Sequence, residues 1–228
     1  MRTVFIQKLT HMLKLTLDHP VGRPLNILFL GAHSDDIEIG CGGTVLKLID
    51  MYPDLQITWI VFGAREKRAF EAATSAESFL SGVKDKKVII KDFKDGFFPY
   101  IGGEIKEWFE QLKKELSPDL IFTHHRHDLH QDHRLICELT WNTFRNHFIL
   151  EYEIPKYDGD LGVPNIFFHL GESICQKKIH FLMEHFKTQS DRHWFTEETF
   201  SSLMRLRGIE SKSPDQYAEA FYGRKVSI

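Results

Sequence analysis

Three nearly continuous apolar runs limit this chain more than any other feature: Leu25–Leu30 (LNILFL), Ile57–Phe62 (ITWIVF) and Leu120–Thr123 (LIFT). A strand with one wet face alternates polar and apolar residues, so unbroken runs of this length are expected of strands buried on both faces. Segments of helical period lie between them. In Glu104–Leu116, residues Ile105, Trp108, Phe109, Leu112 and Leu116 fall on one helical face, and Ser117-Pro118-Asp119 ends it. Gly42–Ile49, Arg65–Leu80 and Leu135–Phe148 also read as helices, and Lys87–Lys91 (KVIIK) as a short strand. Strands separated by helices imply βαβ units with right-handed crossovers: an α/β domain with a mainly parallel sheet flanked by helices.

Beyond Glu151 the pattern weakens. Pro155, Gly159, Gly162 and Pro164 mark an irregular segment, and long loops in compact domains are often functional. A strand over Ile166–His169, a helix over Glu172–Phe186 and a C-terminal segment follow. The first twenty residues read as a short amphipathic helix leading into Pro20. No repeat or linker interrupts the chain. The expected organisation is one domain over 1–228, with 1–24 as an N-terminal extension and 151–228 supplying a pocket-shaping loop and C-terminal elements.

Composition excludes several classes. The 228 residues suffice for one sizeable core. A net charge of -3 gives no field that would draw in nucleic acid. No stretch approaches the roughly 20 apolar residues of a membrane span. Three scattered cysteines do not make a disulfide framework. With no recognisable secretory leader, a cytoplasmic location is expected.

The first apolar run ends in GAHSDDIEIGCGG, Gly31–Gly43. Three readings compete. Glycines at the start of a helix can cradle phosphate. GCGGT, however, is not a GxGxxG fingerprint, no P-loop lysine follows, and two aspartates repel an anion. Asp35 and Glu38 have the spacing of a capping box. The third reading is a metal site. The run LIFT is followed by HHRHDLHQDH, His124–His133, which adds His125, His127, Asp128, His130 and Asp132. His130 and His133 are three apart and share a helical face. If the two strands are neighbours, both loops open at the carboxyl edge of the sheet, where sites form in open α/β folds. Imidazoles with a carboxylate suit Zn²⁺, and three protein ligands leave a position open for water, as in catalytic zinc sites.

Together these residues resemble a known family. His33-Ser34-Asp35-Asp36, followed by Ile39-Gly40-Cys41-Gly42-Gly43, resembles the AHPDDE signature of the LmbE-like, or PIG-L, metal-dependent N-acetylglucosaminyl deacetylases. His130-Gln131-Asp132-His133 resembles their HxDH signature. Phe62-Gly63 with Arg65, Arg68 and Glu71, then Arg207-Gly208 and Tyr217–Phe221, are similar to later segments of the family. Ser34 replaces the usual proline and Ile37 the usual glutamate.

The resemblance implies a Rossmann-like fold and hydrolysis of N-acetyl groups on glucosamine-type sugars with a divalent metal, usually Zn²⁺, with Fe²⁺ as another choice. Carried over by position, it implies that His33, Asp36 and His133 bind the metal. It makes Asp35 the general base, and His130 the group that stabilises the oxyanion or protonates the leaving amine. Asp35, beside ligand Asp36, should stay ionised near the cation. His130 as an imidazolium would face the acyl oxygen, oriented by either Asp128 or Asp132.

The glycines are then expected in a tight turn with room for a ligand, and Cys41 as a small buried residue rather than a ligand. Arg65 and Arg68 either hold a substrate hydroxyl or phosphate or form a solvated helix end. Asp95–Pro99 is expected at the rim. The implied partner is a small N-acetylated sugar, nucleotide sugar or glycoconjugate, and homo-oligomers are compatible with it. Two other readings use the same residues: an amidase acting on a thiol-glycoside conjugate, and a non-catalytic metal- or sugar-binding protein. A dinucleotide-binding protein is disfavoured by the missing fingerprint.

Overall fold

The computed structural model describes residues 16–17 and 22–226. The helix expected over the first twenty residues falls, but for Thr16 and Leu17, outside the described residues. Strand β1 (Leu25–His33) leads into helix α1 (Asp36–Met51), then β2 (Leu55–Gly63), α2 (Glu66–Phe79) and β3 (Asp85–Ile90). Helix α3 (Gly102–Glu115), β4 (Leu120–His124), α4 (Gln131–Thr143) and β5 (Phe148–Tyr152) follow. The chain closes with β6 (Ile166–Leu170), α5 (Glu172–His185), α6 (Glu197–Glu210) and β7 (Tyr217–Gly223).

The seven strands form one sheet in the order β3-β2-β1-β4-β5-β7-β6. The first five are parallel, and β7 runs antiparallel between β5 and β6. This is the expected single-domain α/β architecture. The apolar runs lack alternation because both faces of the sheet are covered. On one face, Phe29, Trp59, Phe122 and Tyr152 pack with Val45, Phe79 and Leu182 of α1, α2 and α5. On the other, Leu30, Ile60, Phe62 and Ile121 pack with Ile105, Phe109 and Leu112 of α3 and Ile136 of α4. Each fully buried large apolar side chain stabilises the fold by about 1.5–3 kcal/mol.

Two boundaries differ from expectation. Helix α1 starts at Asp36, six residues before Gly42, so the glycines are helical. Helix α4 ends at Thr143, where the amide of Phe144 still reaches Thr140 O, and Phe148–Tyr152 is a strand. Apolar residues at helical spacing through Leu135–Phe148 concealed that change, since Phe144 and Phe148 continue the spacing past the polar Arg145-Asn146-His147 turn.

Strands β1 and β4 are parallel neighbours, with Ile27 opposite Leu120 and Phe29 opposite Phe122. The chain passes from β1 to β2 on one side and enters β4 on the other, so the strand order reverses between them. The two polar loops therefore leave the same sheet edge at a topological switch point. No helix among the described residues is long and apolar enough to cross a membrane.

Candidate metal centre

Strand β1 delivers His33 at its last position, and the chain turns at once into α1. The turn is fixed by Asp36, whose Oδ2 accepts the backbone N–H of His33 at 2.6 Å. His133 arrives from the first turn of α4. Its Nε2 lies 3.1 Å from His33 Nδ1 and 3.5 Å from Asp36 Oδ1, and His33 Nδ1 is 3.4 Å from Asp36 Oδ2. Donors bound tetrahedrally at Zn–N and Zn–O lengths stand about 3.3 Å apart. The two imidazoles and the carboxylate, which turns Oδ1 to His133 and Oδ2 to His33, come close to this spacing and suit a divalent ion, and all three residues are buried.

Electrostatics separates the two aspartates. Burial would raise Asp36, but His133, His124 and His33 hold it well below the usual carboxylate range. Burial pushes Asp35 up to about 6, against Arg68 and with help from the Asp36 charge. Burial and the neighbouring His124 push His133 down to about 3. Burial also disfavours charge on His33, but Asp36, Asp132 and Asp95 outweigh it and raise that imidazole well above its ordinary value.

The carboxylates expected to orient His130 do other work. Asp128 Oδ2 is 2.9 Å from His133 Nδ1, while its Oδ1 accepts the backbone N–H of His130 at 2.8 Å. It therefore orients His133 rather than the His130 ring. Asp132 accepts the amides of Gly96 (2.6 Å) and Phe98 (3.1 Å) and lies 3.3 Å from His33 Nε2, so it ties the rim loop to His33.

His130 Nδ1 caps α4 by accepting the amide of Asp132 at 3.3 Å. That assignment leaves the proton of a neutral ring on Nε2. Burial and the nearby His33 lower the pKa of His130. The expected imidazolium is thus disfavoured for lack of solvation and for like charge.

Asp35, in the turn before α1, is paired with α2. Arg68 reaches it with NH2 to Oδ1 at 2.9 Å and donates from Nε to Ser34 Oγ at 2.8 Å. Ser34 thus supplies an acceptor that proline at this position would lack. The structure does not bring Arg65 to the cluster: its Nε donates to Asp92 O at 2.7 Å on the surface. Glu71 receives the amide and hydroxyl of Thr188 at 2.8 and 2.6 Å, an anchor for the chain after α5.

The capping-box and open-turn readings fail. Asp35 makes no side-chain cap bond, and Glu38 is buried, with burial holding its carboxyl well above the usual range. A Cβ on Gly40 would lie 2.2 Å from the Tyr152 ring, and one on Gly43 would lie 2.6 Å from Leu170. The space beside these glycines is filled by protein, leaving no room for a ligand. Cys41 is buried with its thiol 3.2 Å from Ile37 O, as a small packed residue should be.

Sequence reasoning left two neighbours without a role. His124, the last residue of β4, is fully buried and stacks on the His133 ring at 4.0 Å. Its Nε2 lies 3.2 Å from Asp36 Oδ2, and among the described residues three overlapping sets could hold a metal: Asp36, His124 and His133; His33, His130 and His133; and His33, Asp95 and Asp132. Asp95, expected only at the rim, places Oδ1 3.1 Å from His33 Nε2. For His124 the available signal was its position at a buried strand end, which aims a side chain along the sheet edge. The irregular segment after β5 also reaches the site: Lys156 donates to Asp128 Oδ1 at 3.0 Å and pairs with Asp160, which accepts the amide of Leu129 at 2.7 Å.

A family model described as PIG-L: GlcNAc-PI de-N-acetylase matches residues 28–144. No curated protein sequence matches. Similar solved structures include N,N'-diacetylchitobiose deacetylase from Pyrococcus horikoshii, with 22% identity and a TM-score of 0.68, covering 88% of this chain and 84% of that one. The conserved protein TT1542 from Thermus thermophilus has 18% identity and a TM-score of 0.70, covering 90% and 96%. GalB, the 4-carboxy-2-hydroxymuconate hydratase from Pseudomonas putida, has 15% identity and a TM-score of 0.70, covering 89% and 97%. At these identities the likeness is one of fold. The family match takes in both polar loops and just over half of the residues, and the chain belongs to the PIG-L family.

Proposed function

We propose that this protein is a divalent-metal hydrolase, with Zn²⁺ the first choice, that removes the acetyl group from an N-acetylglucosamine-type sugar or its conjugate, giving acetate and a free amine. One observation carries the reading: His33, Asp36 and His133 converge with donor spacings of 3.1–3.5 Å while a fourth buried group, the Asp35 carboxylate, stands beside them without being needed to complete the set. A binding site alone has no use for an extra buried carboxylate at about 6.

When bound, such an ion brings the pKa of water at its open position toward about 7 and polarises an acyl carbonyl. Asp35 takes the proton of the attacking water at Oδ2, since Arg68 holds Oδ1, and returns it to the leaving amine. His130 donates from Nε2–H to the acyl oxygen as charge develops there; such donors are worth roughly 10²–10³-fold in rate. Asp128 holds the His133 ring through Nδ1, and Asp132 and Asp95 do the same for His33 through Nε2. The segment 153–164, anchored through Lys156 and Asp160, forms one wall of the substrate pocket.

Fold alone does not select this chemistry, because a hydratase shares it. The reading is tested by acetate release from N-acetylated free sugars, nucleotide sugars, glycosides and thiol-glycoside conjugates, with Zn²⁺ and with chelator. Stoichiometric metal without acetate from any of them would reject the deacetylase reading. His33→Ala should empty the site, and full metal content in that variant would reject the ligand set.

A further inference from the structure

Helix α1 is broken. Its span is Asp36–Met51, but Cys41 has φ −146° and ψ 16°, so two helical segments meet there. A break leaves carbonyls of the first segment and amides of the second without intrahelical partners. Two charged side chains from distant elements fill it. Glu219 of β7 accepts the amides of Gly43 at 2.8 Å and Thr44 at 2.6 Å, one on each carboxylate oxygen. Lys178 of α5 donates to Ile39 O and to Glu219 Oε1, each at 2.6 Å.

The signs suit the place: a carboxylate at the start of one helix and an ammonium at the end of another both complement the helix dipole. Both residues are almost fully buried, Lys178 at 2% and Glu219 at 4% exposure. Burying an ion pair carries a desolvation cost that apolar packing would avoid, so such a pair is a weak device for stability and a better one for fixing a single arrangement. The segment on the amino side of the break carries Asp36 and packs at Gly40 against Tyr152, whose hydroxyl donates to Leu30 O at 2.6 Å.

We propose that the buried Lys178–Glu219 pair is a positioning device that holds the break in α1 at Cys41 and thereby sets the placement of Asp35 and Asp36. Among the described residues neither side chain hydrogen-bonds to His33, Asp36 or His133, so the pair acts through the helix. This is the role of the Tyr217–Phe221 tail, which the chemistry itself does not use. The inference rests on the metal reading of Asp36, and its test keeps the two apart.

The intact chain carrying Glu219→Gln is compared with wild type by amide hydrogen exchange at Gly43 and Thr44, and by Zn²⁺ dissociation constant in competition with a chromogenic chelator. Leu48→Ala, in the second segment of α1, is the purely destabilising comparator, expected to lower Tm and leave Zn²⁺ affinity unchanged. Glu219→Gln should speed exchange at both amides and weaken Zn²⁺ by about 10-fold or more, within the range for groups that orient ligands. Wild-type exchange rates, or wild-type Zn²⁺ affinity with fast exchange, would overturn the proposal. An equal loss of Zn²⁺ affinity in Leu48→Ala would also overturn it. If wild type binds Zn²⁺ no better than His33→Ala, the metal reading fails. The hold on the break is then judged by exchange alone: faster exchange sustains it and wild-type rates overturn it. Should Glu219→Gln not fold, Glu219→Asp, which keeps the charge and shortens its reach, is read in the same way.

Discussion

Asp128 Oδ2 stands 2.9 Å from Nδ1 of His133, the nitrogen turned away from His33 and Asp36. A carboxylate here fixes the tautomer that leaves Nε2 unprotonated toward His33 and Asp36, and would make the imidazole a better donor to the proposed metal. Lys156 and the backbone of His130 in turn fix Asp128. Asp128→Asn should weaken Zn²⁺ about 10- to 100-fold with the fold intact. Equilibrium dialysis with elemental analysis measures this, and an unchanged dissociation constant would show that the contact is only structural.

Arg68 and Asp35 form the second test. Asp35→Asn keeps the shape and removes the basicity, so kcat should fall roughly 10²- to 10⁴-fold while the metal stays bound. Arg68 lowers the pKa of Asp35 against burial. Removing that cation in Arg68→Met raises the pKa, so protonation silences the base at higher pH. The acid limb of the kcat profile should therefore move toward alkaline pH. A limb that stays in place or moves the other way would remove Asp35 from the base role.

Both loops were legible in the sequence because each follows an unbroken apolar run, and such runs place their ends at one sheet edge. What was not legible came from contacts distant in the chain. Gly40 and Gly43 look like turn residues until Tyr152 and Leu170 are seen against them. Asp128 and Asp132 are equivalent by spacing, and only the approach of Gly96 and Phe98 assigns Asp132 to the rim loop. Arg65 and Arg68 are one helical turn apart, yet the Asp92 carbonyl draws Arg65 to the surface while Ser34 and Asp35 draw Arg68 inward. Strand β5 was hidden because Phe148 continues the helical spacing of α4, and with it the role of Glu151.

Segment 153–164 should matter for substrate rather than metal. Lys156 and Asp160 tie it to Asp128 and Leu129, while Glu153 is anchored by Arg207 at 2.7 and 2.9 Å. Replacing the exposed Tyr157 and Val163 with serine leaves these anchors in place. KM for the conjugate that releases acetate fastest should rise, with Zn²⁺ content unchanged. Identical KM values across the whole substrate panel would remove this segment from the pocket.

Glu151 supplies a pH test independent of the metal. Its fully buried carboxylate accepts Trp141 Nε1 at 2.7 Å, the Arg126 amide at 2.9 Å, His125 Nδ1 at 3.0 Å and Arg224 at 2.5 and 2.9 Å. Burial alone would raise its pKa, but the bonds from His125 and Arg224 outweigh that and hold it at about 2. A pKa lower in the folded than in the unfolded chain means that the unfolded chain binds more protons between the two values, so stability is lost as pH falls across that window. The contribution is complete above the unfolded value of about 4.3 and disappears as pH falls through about 2. A shift of this size corresponds to roughly 3 kcal/mol. Glu151→Gln should lower the unfolding free energy at pH 7 by up to that amount, and the gap from wild type should narrow steadily below about pH 4.3, because there the carboxylate of the unfolded chain gains its proton while the native one stays ionised down to about pH 2. Urea unfolding of both proteins between about pH 7 and pH 3 measures the gap. A gap that stays constant over that range would mean that the carboxylate charge contributes nothing and that the loss in the variant is one of packing alone.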